Sequence, residues 1–187
     1  MSAFEFVFTL FGLLLGFSLV EVLGGLARVV ERRIRPGSAL RIGWLTPLLG
    51  LFVLLDLISF WGSAWAAREV LTVSSATLIG SLFFAGAYYL AAHLVFPGDL
   101  DGIDDLDAHF DRIKLPVMVP LFVLLLLQLA YWAWVPQLAR LYSVPGVGWQ
   151  IGFFVALFAA AILVRGRLWN ALLLAALSLR YLIVAFL

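Results

Sequence analysis

Four ionisable side chains interrupt the long apolar stretches of this sequence: Glu21, Asp56, His93 and Arg180. A charge in an apolar environment needs an opposite charge, a hydrogen-bonding partner or a task, so these residues are where chemistry is sought first. Asp56 stands about 22 Å along a helix from Arg41, and Arg180 about 20 Å from Arg167, which gives the two charges matched depths. They are expected to pair if their helices are neighbours. Gln128, about 21 Å from Lys114, would complete a polar layer. The pair reads either as a lock between two helices or as a translocation group. The lock is preferred, because opposite charges at one depth offset each other's desolvation. Arg180 has a second option, reaching along its own helix toward the carboxylate of Leu187.

A second group lies nearer one end of its helices. Glu21 is about 10 Å from Arg28 and His93 about 6 Å from Pro97, while Tyr89 precedes His93 by one turn and Asn170 enters its own segment at a similar level. A carboxylate, a phenol, an imidazole and an amide at one level could form a pocket or a proton relay, since histidine titrates near neutrality. The plainer reading pairs Glu21 with Arg28, two turns on along the same face, and leaves His93 as a hydrogen-bonded packing residue.

Other chemistries find no residues to carry them. There is no cysteine for thiol catalysis or thiolate metal sites, and the single lysine, Lys114, falls at a segment border and not deep within one. His93 alone cannot supply the two axial ligands of a membrane haem. The aspartates between 99 and 111 lack the ligand order, turn glycine and closing glutamate of a calcium loop. No metalloprotease, P-loop or hydrolase-elbow pattern occurs. The chain is therefore read as a non-enzyme, with no catalytic residue, metal or cofactor assigned.

The elements that position these residues follow from composition. With 187 residues, 65% hydrophobic and 12% charged, and a mean hydropathy of +1.11, the chain suits lipid as its solvent and forms one domain over 1–187. Crossing a bilayer takes about 20 apolar residues, and the sequence supplies such runs at 4–28, 44–67, 73–95, 115–135, 149–164 and 168–187. Uninterrupted runs without alternation are helices and not barrel strands. The expected fold is all-α, a bundle of six transmembrane helices. Glu5 has the wrong sign for a signal peptide, so the first run is expected to be a retained span.

Charge gives the orientation. Arg28, Arg32, Arg33, Arg35, Arg41, Arg112, Lys114, Arg165 and Arg167 fall on one side and only Arg68 and Arg140 on the other, which puts the first, third and fifth loops in the cytoplasm and both termini outside. Tryptophans flank the runs on both sides, and Pro47, Pro116 and Pro120 are expected at helix starts. Between the third and fourth spans, Ile103, Leu106, Phe110 and Ile113 recur at helical spacing among six aspartates. This predicts a short cytoplasmic amphipathic helix capped near Asp101, acidic at its start and basic at its end. Its carboxylates, Asp104, Asp105 and Asp107 among them, can meet the arginine loop carrying Arg28, Arg32, Arg33 and Arg35, or each block can face a partner or anionic lipid. Gly12 and Gly16 allow a close helix approach, within the bundle or to a second chain.

In composition and layout the chain resembles small multi-span proteins of bacterial inner membranes, which implies an inner (plasma) membrane location. The expected function is that of an accessory, assembly or scaffold subunit that contacts membrane lipids and either forms a homo-oligomer or joins other membrane protein subunits. The alternative is a small channel or a proton- or cation-coupled carrier built on Asp56, Arg180, Glu21 and His93. Net charge is only +1 and averages two opposed local biases, so nucleic acid is not an expected partner.

Overall fold

Long apolar runs must satisfy their own backbone polar groups, and helices do this within a single segment. The computed structural model describes residues 3–70 and 74–186, and every regular element in that range is helical. In chain order these are α1 (Ala3–Ile34), α2 (Leu45–Ala66), α3 (Ser75–Val95), α4 (Leu106–Trp134), the single turn α5 (Pro136–Ala139), a 3-10 turn at Arg140–Ser143, α6 (Val147–Leu163) and α7 (Arg167–Phe186). Five of them, α1, α2, α3, α4 and α7, are long and apolar enough to cross a membrane. α6 is equally apolar but has only 17 residues.

α2 is the hub. It touches α1, α3, α4 and α7, while α1 lies along α3, α3 along α4, and α6 packs on α4 and α7. Its Leu49, Phe52 and Val53 are fully buried. Aromatic rings fill the space on either side of it. Phe52 meets Phe158 edge-on at 5.2 Å and Tyr181 at 6.1 Å, and on the other flank Phe60 stacks on Phe84 at 5.3 Å and lies 5.1 Å from Tyr88. Such ring pairs add about 0.5–1.5 kcal/mol each to the area they bury. Glycine permits one close approach: a Cβ on Gly25 would fall 2.6 Å from the Cβ of Phe96, so α1 can pass over that ring only without a side chain. The expected small-residue pair divides, with Gly12 meeting the Trp61 ring and Gly16 facing open space.

The connections α1–α2, α3–α4 and α6–α7 meet at one end of the bundle. Arg41 N–H donates to the Asp104 carbonyl at 2.8 Å, Leu106 N–H donates to the Arg41 carbonyl at 3.0 Å, and Lys114 Nζ donates to the Val164 carbonyl at 2.6 Å. We call this the basic end. Trp44 and Trp169 are exposed there, and Trp61, Trp65, Trp134 and Trp149 are exposed toward the far end.

Three expectations are corrected. The amphipathic segment is not a separate helix starting at Asp101; the helix begins at Leu106, where the Asp105 carboxylate caps it by accepting Asp107 N–H at 2.9 Å, and it runs without a break to Trp134. Gly102 at φ +77° and the extended pairing of Arg41 with Asp105 keep the preceding residues out of helix. Because the helix starts that early, Pro116 and Pro120 lie inside it and not at its start. Each removes an i→i−4 hydrogen bond, so the Arg112 and Pro116 carbonyls lose their usual donors one above the other. α1, finally, continues past residue 28 to Ile34, which places Arg32 and Arg33 in its last turn, where cations complement the helix dipole.

Candidate functional site

Asp56 is brought to the bundle interior by the apolar face of α2 and is 5% exposed. Two phenols meet it there. Tyr88 of α3 donates to Oδ2 at 2.8 Å, and Tyr181 of α7 donates to Oδ1. Each carboxylate oxygen thus receives one hydroxyl, and three helices are joined through one side chain. Both tyrosines are buried, and their rings belong to the aromatic groups flanking α2. A carboxylate accepting two hydroxyl donors makes charge-assisted bonds, about twice as strong as neutral ones.

Arg180 does not form the expected ion pair. α7 neighbours α2, as the pairing required, but the guanidinium lies over the Phe154 ring, 3.9 Å from its centroid, within Coulombic reach of Asp56 and not in contact with it. The adjacent residue Tyr181 takes the place beside the carboxylate. Consecutive residues on a helix point about 100° apart, so only one of the two can face α2. Gln128 belongs elsewhere, lining a cleft between α1, α2, α3 and α4 at the far end. Leu187, the other option for Arg180, lies outside the described residues.

The second group assembles in part. On the adjacent helices α1 and α3, Tyr89 donates to Glu21 Oε1 at 3.2 Å and His93 Nδ1 lies 3.0 Å from Glu21 Oε2. Arg28 lies against Gly24, within Coulombic reach of Glu21 but outside ion-pair distance. This triad is not inside the bundle. The His93 side chain is 53% exposed and that of Glu21 24%, and Glu21 and Tyr89 border a shallow groove between α1 and α3. Asn170 is not part of it. It is buried on α7, where its Oδ1 accepts from Lys114 Nζ at 2.7 Å and its Nδ2 donates to the Gly166 carbonyl at 2.9 Å.

Lys114, expected only as a residue at a segment border, is buried in the structure. It is 8% exposed, and its ammonium also donates to the carbonyl of Val164, the residue that ends α6. A cation at a helix C-terminus meets carbonyls that have no intrahelical donor. Around it the acidic and basic segments interlock. Arg167 lies 3.4 Å from Asp105 and 4.0 Å from Asp107, and Arg32 lies 4.0 Å from Asp101. Asp107 Oδ1 accepts Leu45 N–H at 3.1 Å at the start of α2, and Thr46 Oγ donates to the Leu106 carbonyl at 2.7 Å. Asp104 contributes its carbonyl to Arg41 while its side chain is exposed, as are Arg28, Arg33 and Arg35. Among the described residues no group of three or more histidine, aspartate or glutamate side chains is placed to hold a metal ion.

The signal for the missed tyrosines was depth. Tyr181 follows Arg180 directly, and its phenol is a hydrogen-bond donor at almost the same level of α7. Comparison with protein-family models, curated proteins and solved structures finds no match to this chain.

Proposed function

We propose that the chain is a non-enzymatic subunit of an inner membrane that crosses six times, with the basic end in the cytoplasm and both termini outside, and that it receives a partner helix on the α1/α3 face. The partner is a second copy or another membrane protein subunit. The observation that carries this reading is the outward-facing triad of Glu21, Tyr89 and His93. At membrane depth its open side meets neither water nor protein, and hydrogen bonds between helices are the means by which such groups are satisfied in lipid. The groove beside it, about 440 Å³, is lined by Ala85 and Gly86 as well as larger side chains, which leaves room for a helix to approach.

The sixth crossing is supported by the ends of α6. Tyr142, just before it, donates to the Leu129 carbonyl near the far end of α4, while Val164, just after it, meets Lys114 near the start of α4. Seventeen residues rise about 25 Å against a hydrocarbon core of about 30 Å, a mismatch that local bilayer thinning can absorb. Nine basic residues on one side against two on the other support the orientation. In a chain without cysteine, Ser38→Cys and Asp99→Cys should resist an impermeant thiol reagent added outside intact cells and Gln137→Cys should react; the reverse pattern would reject the topology.

The subunit reading is tested by association. Glu21→Gln and His93→Ala should shift the native mass of the complex in mild detergent toward the single chain while its melting temperature stays within a few degrees of wild type. Ion flux in reconstituted vesicles should stay at background throughout. A robust wild-type flux abolished by Glu21→Gln in a folded protein would instead establish the carrier, and an unchanged native mass in both variants would remove this face from assembly.

A further inference from the structure

At the far end, α1, α2, α3 and α4 diverge around a cleft of about 530 Å³, partly open to the surroundings. That volume falls within the range of small-molecule sites, about 300–1,000 Å³. Its floor is aromatic: Phe11 packs against Phe60 at 5.4 Å, and Phe60 stacks on Phe84 at an interplanar angle of 2°. Above that floor stand uncharged polar groups, the hydroxyl of Ser81 on α3 and the amide of Gln128 on α4, each about 9 Å from the far end of its helix. A Cβ on Gly80 would meet nothing within 4 Å, so this wall of the cleft is open space and not packed core.

Among the described residues the lining carries no aspartate, glutamate, lysine, arginine or histidine. In a low-dielectric cleft a charged ligand head would be left without a countercharge, which excludes phosphate and carboxylate heads on electrostatic grounds. The nearest cation in sequence, Arg68, lies 3.3 Å from Glu69 and over the Trp65 ring, so its charge is already engaged. We propose that this cleft binds a neutral membrane lipid, with a hydrocarbon chain on the Phe11, Phe60 and Phe84 floor and an uncharged hydroxyl or carbonyl head hydrogen-bonded by Gln128 and Ser81. The site shares no lining residue with the α1/α3 groove and stands or falls separately from it.

The test uses the full chain in lipid nanodiscs with two photoreactive probes of the same acyl chain, a monoacylglycerol and the corresponding anionic lysophosphatidic acid. The neutral probe should label wild type saturably on the peptides containing 60–67, 76–84 and 127–132, and unlabelled monoacylglycerol should displace it. The anionic probe should label these peptides about tenfold less, equivalent to ~1.4 kcal/mol. Gly80→Leu, which fills the open wall, should lower neutral labelling about tenfold, and Gln128→Leu, which removes the head contact, about threefold to tenfold. Labelling that does not saturate, that spreads evenly over the outward faces of α1 and α7, or that is equal for both probes would overturn the proposal. So would undiminished labelling of a Gly80→Leu protein that melts as wild type does. If Gly80→Leu fails to fold, saturation, displacement and peptide mapping in wild type decide the matter by themselves.

Discussion

Asp56 and Glu21 are carboxylates set far from the ends of their apolar helices, and they are handled in opposite ways. Asp56 is enclosed, with a tyrosine hydroxyl on each oxygen and aromatic rings behind both tyrosines. Glu21 also accepts a tyrosine and faces a histidine, but on the outside of the α1/α3 pair, where its partners are half open. The number of bonds is similar and the surroundings differ. A charge whose bonds are complete within the chain serves the chain's own packing, and one whose bonds are left open to lipid is available to something else.

The largest expected effect lies on the enclosed side. Asp56→Ala removes the acceptor of two buried phenols and leaves a void, and should lower folding stability by about 3 kcal/mol or more, measured by unfolding in bicelles or mixed micelles. A loss below about 1 kcal/mol would mean that the phenols find other partners and that the three-helix junction is not a lock.

Removing one phenol at a time is gentler. Tyr88→Phe and Tyr181→Phe should each cost about 1–2 kcal/mol, and the double variant should lose more than the sum, because the second change strands the carboxylate. Strict additivity would show that the two bonds do not act through the same group. Arg180→Gln should cost about 1 kcal/mol through its lost contact with the Phe154 ring. Combined with Asp56→Asn it should couple far less strongly than either tyrosine does. A coupling of about 3 kcal/mol would restore the direct ion pair expected from matched depth.

On the open side the expected change in folding stability is the smallest. Glu21→Gln should shift it by less than about 1 kcal/mol, because the amide keeps an acceptor oxygen for Tyr89 and the group lies outside the packed core, while altering association. Arg167→Ala at the basic end, an exposed cation beside Asp105 and Asp107, should likewise stay within about 1 kcal/mol. If Glu21→Gln proves as damaging as Asp56→Ala in the isolated chain, the distinction between enclosed and open carboxylates fails.

The all-helical fold, the approximate segments and the gathering of charge at one end were legible in the sequence, because each depends on residues counted along a single chain. Apolar run length sets which helices can cross, and the arginines mark which connections share an end. The contact of Glu21 with Tyr89 and His93 was also within reach, since matched depth on α1 and α3 becomes contact once those helices are neighbours. Depth does not include rotation. Arg180 and Tyr181 differ in height by one residue but by about 100° around α7, so helix packing decided that the tyrosine meets Asp56 and the arginine meets Phe154. The same holds for Asn170, which shares a level with His93 but lies on a helix that turns it toward Lys114. The start of α4 was decided between chains of residues far apart in sequence: Arg41 pairs with Asp105, and that bridge holds the aspartates before Leu106 extended against a helical pattern. Sequence determines how far along a helix a group lies; which neighbour it faces follows only when several helices have settled their rotations against one another.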